Sequence, residues 1–201
     1  DTIPHLFYYN AFLILSNGTE AKVGTLGSKY EFFHEWKRLS EQEQGSVALE
    51  TMLRGICKKE NFLDLLENFI LFDHSGGHTV KILARNHQYL GVNEAIKAYE
   101  ARKLNNGKLG VFWHTQGSGK SYSMVFLAQK IRRKFSGSPT IVILTDRDEL
   151  NTQISDTFEN CGILGKAKAS QFIASSGDDL IDKLKGNPSF IFTLIQKFNK
   201  T

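Results

Sequence analysis

Between residues 110 and 135 the chain runs from an apolar stretch, Gly110-Val111-Phe112-Trp113-His114, through Gly117-Ser118-Gly119-Lys120-Ser121 into an amphipathic stretch that closes on Ile131-Arg132-Arg133-Lys134-Phe135. No other feature restricts the fold so strongly. Polyphosphate carries dense negative charge, so a site for it needs converging backbone N–H groups and a cation. Glycines let the main chain wrap closely around a phosphate, and a helix that follows aims the positive end of its dipole at it. In such a loop Lys120 would bridge the β- and γ-phosphates of a nucleotide, and the Ser121 hydroxyl would ligate Mg²⁺. The pattern Gly-x-x-x-x-Gly-Lys-Ser/Thr is met except at its first glycine, where His114 stands. By average residue usage, Gly-x-Gly-Lys-Ser/Thr arises by chance in roughly one chain of this size in a hundred. Here it also lies between a strand-like and a helix-like run, which is the context the motif requires. The segment reads as a nucleotide site.

The flanking sequence supplies the matching architecture. Residues 110–114 read as a buried strand, and residues 122–135 as a helix with Met124, Leu127, Ala128, Ile131 and Phe135 on one face. A β-branched strand is expected over 140–145, a helix on Leu150, Ile154 and Phe158, another over 180–185, and a strand over 190–195. Apolar runs without alternation, separated by helices, predict a parallel sheet covered on both faces. Upstream, Ser16-Asn17-Gly18 is the strongest short hairpin signal, between strands expected over 11–15 and 20–25. Leu49, Met52, Leu53 and Ile56, then Phe62, Leu65, Leu66 and Phe69, recur at helical spacing, and 92–103 reads as a further helix. Ser75-Gly76-Gly77 breaks the pattern and is the expected boundary.

Composition excludes several classes. With 41% hydrophobic residues in 201, the chain can build one large or two modest cores and is not a disordered tail. The longest apolar run, around 190–195, is strand-sized, far short of the ~18 residues that cross a bilayer. Two cysteines without metal-ligand spacing, and no basic-then-apolar leader, give a cytoplasmic expectation with no membrane partner. A formal charge of +4 is too small to argue nucleic-acid binding by itself. The chain opens on Asp1 and stops at Thr201 in mid-pattern, so a piece of a longer protein is expected.

A phosphate loop of this kind works with a second acidic element, usually an apolar strand ending in Asp. The internal candidate is Asp146, after Ile141-Val142-Ile143-Leu144-Thr145. As a metal ligand it would suit a compact kinase or simple ATPase. Arg147 follows it, however, where helicase-type motors place a glutamate, so the preferred assignment gives residues 145–153 another task.

The longer text settles that preference. Phe7-Tyr8-Tyr9-Asn10, Ser16-Asn17-Gly18 with Val23-Gly24-Thr25, Trp36-Lys37, residues 66–72, Lys81-Ile82 and Arg85-Asn86-His87-Gln88-Tyr89 occur in order. Trp113-His114-Thr115-Gln116 leads into the glycine loop, followed by Thr145-Asp146-Arg147 with Leu150 and Gln153, and Ile195-Gln196-Lys197-Phe198. Together they resemble the motor (restriction) subunit of type I restriction–modification enzymes, which joins a PD-(D/E)-x-K nuclease domain to a superfamily 2 helicase-like motor of two RecA-like lobes. His114 in place of glycine is usual in such motors.

The resemblance implies an α/β fold: residues 1–45 as the end of an α+β nuclease-type domain, 46–75 as a helical connector, and 76–201 as an incomplete first RecA-like lobe. It implies Lys120 as catalytic, with Thr115, Gln116, Gly117, Ser118, Gly119, Lys120 and Ser121 holding ATP and Ser121 on Mg²⁺. Gln88, with Arg85 nearby, resembles the motif that reads adenine, a task an amide suits because it donates and accepts on one base edge. Thr145, Arg147 and Gln153 resemble a motif that grips a DNA strand through its phosphates, for which hydroxyl, guanidinium and amide donors suffice; the partner implied for the whole motor is double-stranded DNA. Implied partners are the modification and specificity subunits. The nuclease acids are expected upstream of Asp1 and the Asp-Glu-x-His strand downstream of Thr201, so these 201 residues alone are expected not to translocate DNA. A stand-alone superfamily 2 helicase or ATPase, a small P-loop kinase using Asp146, and a binding module with a vestigial loop are the alternatives.

Other residues are set aside. His74, His78 and His87 form no metal-ligand pattern, Trp36 and Phe7-Tyr8-Tyr9 are expected in the core, and Glu20-x-Lys22 is not taken as a nuclease motif.

Overall fold

The computed structural model of the chain describes residues 3–198. The expected hairpin forms β1 (Leu13–Ser16) and β2 (Ala21–Gly24), paired antiparallel from Leu13 opposite Gly24 to Ser16 opposite Ala21. Its turn is closed by the Asn17 Oδ1, which accepts from the backbone N–H of Thr19 (3.0 Å) and Glu20 (2.8 Å). Val23 then exchanges both backbone bonds with His34, which brings the segment around Phe33–Arg38 alongside β2.

Two helices follow at the expected places, α1 (Leu49–Ile56) and α2 (Lys59–Asn68). Then come β3 (Ile70–Asp73) and β4 (Val80–Leu83), an antiparallel pair that periodicity did not reveal. Ser75-Gly76-Gly77, expected as a boundary, lies in the turn of this hairpin, with Gly77 at φ +75°. The two hairpins are tied together: Thr25 Oγ1 donates to Lys81 O (2.7 Å) and Lys81 Nζ to Asn10 O (2.9 Å).

The remainder alternates. After α3 (Asn86–Glu100) and α4 (Lys120–Lys134) come β5 (Ile141–Thr145), α5 (Asp148–Asn160), α6 (Gly177–Lys185) and β6 (Phe190–Leu194). β5 and β6 pair in parallel, from Ile141 opposite Phe190 to Thr145 opposite Leu194. β6 is buried throughout and receives Ile173 on its other edge, so it is an interior strand. This is a mixed α/β fold with a parallel strand pair, consistent with a RecA-like lobe. One hydrophobic cluster runs from Ala21, Val23 and Trp36 through Phe69 and Phe126 to Phe158, Phe190 and Phe192. Among the described residues no helix is long and apolar enough to cross a membrane.

Three expectations are corrected. Residues 110–114 are not a strand: Val111 is 91% and Trp113 86% exposed, and no strand pairs with them among the described residues. An apolar run becomes a strand only when a neighbour satisfies its backbone. β5 is not covered on both faces, since Val142 and Leu144 are exposed while Ile141 and Ile143 are half-buried. Trp36 lies in the core as expected, whereas Phe7, Tyr8 and Tyr9 are exposed.

Candidate nucleotide site

The loop from Thr115 to Ser121 is shaped by its glycines. Gly117 and Gly119 have φ of +77° and +84°, a left-handed conformation that side-chain-bearing residues adopt at a cost. Gly119 is the N-cap of α4, so Lys120 and Ser121 open a fifteen-residue helix directly after the turn. Ser118 N–H donates to Thr115 O (3.3 Å), closing the loop on itself. The arrangement points the first N–H groups of α4 toward the loop, as a phosphate requires.

Gln88 is tied into this loop. It is 3% exposed, its Oε1 accepts from Arg85 N–H (2.9 Å) and its Nε2 donates to Gly119 O (2.9 Å). One amide therefore caps the start of α3 and holds the end of the glycine loop. A Cβ on Gly119 would lie 2.8 Å from that Nε2, so the glycine is required by contact as well as by φ. Arg85 is exposed at the helix entrance.

Lys120 Nζ donates to His114 O (2.8 Å) and Thr115 O (3.0 Å), which leaves the ammonium one further proton to offer. Thr115 and Gln116 are exposed and Ser121 is half-buried. Of the groups in the loop, the Ser121 hydroxyl suits a hard divalent cation. Mg²⁺ prefers six oxygens, so phosphate, water and a carboxylate would complete its shell.

Sequence reasoning missed several groups around the loop. His87 Nε2 donates to Ser118 O (3.1 Å), and the His114 ring packs edge-on against His87 (4.6 Å) and Phe112 (4.3 Å). His114 thus fills space beside the loop where the strict pattern has glycine. Burial, first of all, lowers the pKa of both imidazoles; the Arg85 and Arg38 cations add to the effect at His87, and His87 and Lys120 add to it at His114. Phe112 in turn lies over Gly91, where a Cβ would come within 2.1 Å of the ring. Next to Ser121, Tyr122 Oη donates to Asp73 Oδ2 (2.5 Å), joining α4 to the β3–β4 hairpin. The signal for His87 and Asn86 was present in the Arg85–Tyr89 text, but nothing in the residues assigned them a partner.

The proposed DNA contacts lie apart from one another in character. Thr145 is buried, with its hydroxyl on Arg147 O (3.4 Å). Arg147 is exposed, its Nε 3.5 Å from Asp146 Oδ2, and Gln153 is exposed on α5. Gln196 Nε2 donates to Asp146 O (3.0 Å), which brings the turns after β5 and β6 together on one side of the parallel pair. Among the described residues no three His, Cys, Asp or Glu side chains gather as a metal cluster.

The family profile of the SWI2/SNF2 ATPases matches residues 87–201. The chain is 38% identical to the type I restriction enzyme HindI endonuclease subunit of Haemophilus influenzae, over 98% of this chain and 20% of that protein. It is 30% identical to the putative type I restriction enzyme MjaIXP endonuclease subunit of Methanocaldococcus jannaschii, again over 98% and 20%. With the SsaAORF53P endonuclease subunit of Staphylococcus saprophyticus the identity is 24%, over 97% and 20%. The chain spans about a fifth of the length of these relatives.

Proposed function

The chain belongs to the SWI2/SNF2 ATPase family, among the endonuclease subunits of type I restriction enzymes, and from that premise we propose that it is the part of such a subunit that binds ATP with Mg²⁺ and grips double-stranded DNA. The observation that carries the reading is the junction at Gly119. A left-handed glycine, clamped by Gln88, delivers Lys120 and Ser121 to the first turn of α4. Backbone N–H groups of residues 117–121 would cradle the phosphates, Lys120 would neutralise them, and Ser121 would supply one oxygen to Mg²⁺. Thr115 and Gln116 form the approach to the loop. Arg85 serves the adenine end directly. Gln88 serves it from the helix entrance, its amide keeping a second N–H and a second oxygen lone pair beyond the bonds to Arg85 N–H and Gly119 O.

Thr145, Arg147 and Gln153 are assigned to the DNA backbone. Arg147 and Gln153 have the exposure for it, and Thr145 acts by fixing the turn that presents Arg147. Contacts of this kind fix position on the duplex and are indifferent to sequence. In the full-length subunit ATP turnover would drive DNA toward a nuclease domain, with modification and specificity subunits as partners and the cytoplasm as the setting. In that division residues 1–45 close the nuclease-type domain, 46–75 connect, and 76–201 begin the first lobe.

The test is nucleotide binding by the full-length subunit, measured calorimetrically with and without Mg²⁺. Lys120→Ala is expected to weaken ATP binding at least about tenfold, the scale of a lost charge-assisted contact of ~1.4 kcal/mol or more. Unchanged binding would end the proposal.

A further inference from the structure

The glycine loop has a neighbour that the motifs above do not use. Asn86, buried in the first turn of α3, pins the segment around Phe33–Arg38 against the helix. Its Oδ1 accepts from the N–H of Lys37 (3.2 Å) and Arg38 (3.0 Å), and its Nδ2 donates to Arg38 O (2.9 Å). Between segment and helix lies a cleft of about 430 Å³, with Phe33, Lys37 and Arg38 on one side and Arg85 and His87 on the other. That volume is in the range of small-ligand sites. The cleft adjoins the loop, because His87 lines the one and donates to Ser118 O of the other. Arg38 is close enough to the loop that its charge, with that of Glu41, is felt by both His87 and His114.

The chemistry of the walls selects a kind of ligand. A pocket for bare polyphosphate excludes carboxylates, yet Glu31 and Glu35 line this one among the cations Lys22, Lys37, Arg38 and Arg85. Mixed signs around the cleft suit a neutral, hydrogen-bonding group, and the guanidinium planes on its walls suit a planar one. Guanidinium planes stack on such a group and donate to its acceptors, while carboxylates accept from hydroxyl and amino protons. Arg38 Nη1 is held by Glu41 through two long contacts, to its backbone O (3.5 Å) and its Oε2 (3.7 Å), so its plane can be re-aimed at low cost.

We propose that Arg38 is a nucleoside-recognition residue: the base and ribose of the nucleotide whose phosphates sit at residues 117–121 enter this cleft, with Arg38 on one wall facing Arg85 on the other. The proposal rests on the nucleotide reading given above. It makes the segment preceding α1, and not the helicase-type motifs alone, part of what the nucleotide touches.

The experiment compares ATP with inorganic tripolyphosphate, each titrated with Mg²⁺ into the full-length subunit by calorimetry. Arg38→Ala should weaken ATP by about three- to thirtyfold, the range for a cation stacked on a ring, and leave tripolyphosphate within about twofold. Arg38→Lys keeps the charge and the backbone bonds to Asn86 but loses the plane. It should show the same selective loss, and it serves if the alanine variant does not fold. Equal loss for both ligands, or no loss for ATP, overturns the proposal. Lys120→Ala separates the two readings: it weakens both ligands if the loop binds phosphate, and if it weakens neither, the nucleotide reading itself fails.

Discussion

Removal of the Asp64 carboxylate exposes how α2, α3 and α4 are held together. Lys130 Nζ, on α4, donates to Asp64 Oδ1 (2.5 Å) and Oδ2 (2.6 Å) on α2 and to Asn93 Oδ1 (2.6 Å) on α3. It also lies 4.9 Å from the centre of the Phe69 ring. The two charged side chains are 8% and 21% exposed, so water screens little of the interaction. Burial draws the Lys130 pKa down, and Asp64 works against that shift. Taking one partner from a buried pair costs about 3–5 kcal/mol. Because Asn93 retains one bond, Asp64→Ala should fall near the low end, about 3 kcal/mol, or roughly 6–12 °C in melting temperature for a domain of this size. The sign with pH follows from the lowered amine. Between its folded pKa and its ordinary value the unfolded chain binds the extra proton, so this group's contribution to stability rises with pH, and Asp64→Ala extends that window downward. The double variant Asp64→Leu with Lys130→Met removes both charges and should be more stable than Asp64→Ala alone, a coupling of at least about 1 kcal/mol. Urea unfolding followed by circular dichroism measures Asp64→Ala, the double variant and its two single components, Asp64→Leu and Lys130→Met. A cost below about 1 kcal/mol for Asp64→Ala, or simple additivity in the double variant, would refute the argument.

Burial, and then the Arg85 guanidinium, hold the His34 imidazole down to about 4, against an ordinary value of 6.5. The unfolded chain therefore takes up a proton between those values that the folded chain does not. Stability should be complete above pH 6.5 and fall by up to about 3 kcal/mol as pH drops to 4. His34→Phe should flatten that fall, and urea midpoints at pH 7.5 and 5 that drop equally in both proteins would count against it. Gly119→Ala meets a φ of +84° and the Gln88 amide 2.8 Å away. It should cost about 1–2 kcal/mol of folding stability and lower ATP affinity by about tenfold or more, since the clamp must open. Intact affinity in calorimetry would show that the clamp is irrelevant to the loop.

What the sequence made legible was whatever short-range chemistry decides. Asn17-Gly18 places a hairpin because the Asn17 side chain closes its own turn, and the spacing of Leu49 to Ile56 places α1 because one face must be buried. The parallel pairing of β5 and β6 followed from uninterrupted apolar runs flanking a helix. Long-range chemistry stayed hidden. Residues 110–114 have the composition of a strand, but composition supplies no hydrogen-bonding neighbour. Ser75-Gly76-Gly77 reads as a boundary, and nothing in its residues announces that it is also the turn that pairs Ile70–Asp73 with Val80–Leu83. Within the candidate site, the turn at Gly117 and Gly119 into α4 was readable, since glycines at that spacing before an amphipathic run mark a tight loop entering a helix. The partners of Gln88, Asn86 and His87 were not, because an amide or imidazole carries no mark of what it will bond.

Those three residues share the first turn of α3, and their directions explain how distant parts of the chain act on one loop. Gln88 bonds Gly119, Asn86 bonds the backbone of Lys37 and Arg38, and His87 bonds Ser118. Tyr89, next in line, continues into the core, 5.3 Å from Trp36 and 4.8 Å from Phe69, which is itself 5.6 Å from Phe126 on α4. Close-packed rings transmit displacement and do not absorb it. A shift of the segment around Trp36 therefore reaches the glycine loop by two routes, through Asn86 and the hydrogen bonds of α3, and through the ring stack into the helix that Lys120 opens. A flexible tether between the N-terminal stretch and the loop would leave nucleotide affinity insensitive to Trp36. In this fold Trp36→Ala, a buried ring removed at about 3–5 kcal/mol, should lower stability and ATP affinity together. If calorimetry on the folded variant returned the parent affinity, the ring stack would be a support for the core alone and the coupling would have to run through Asn86.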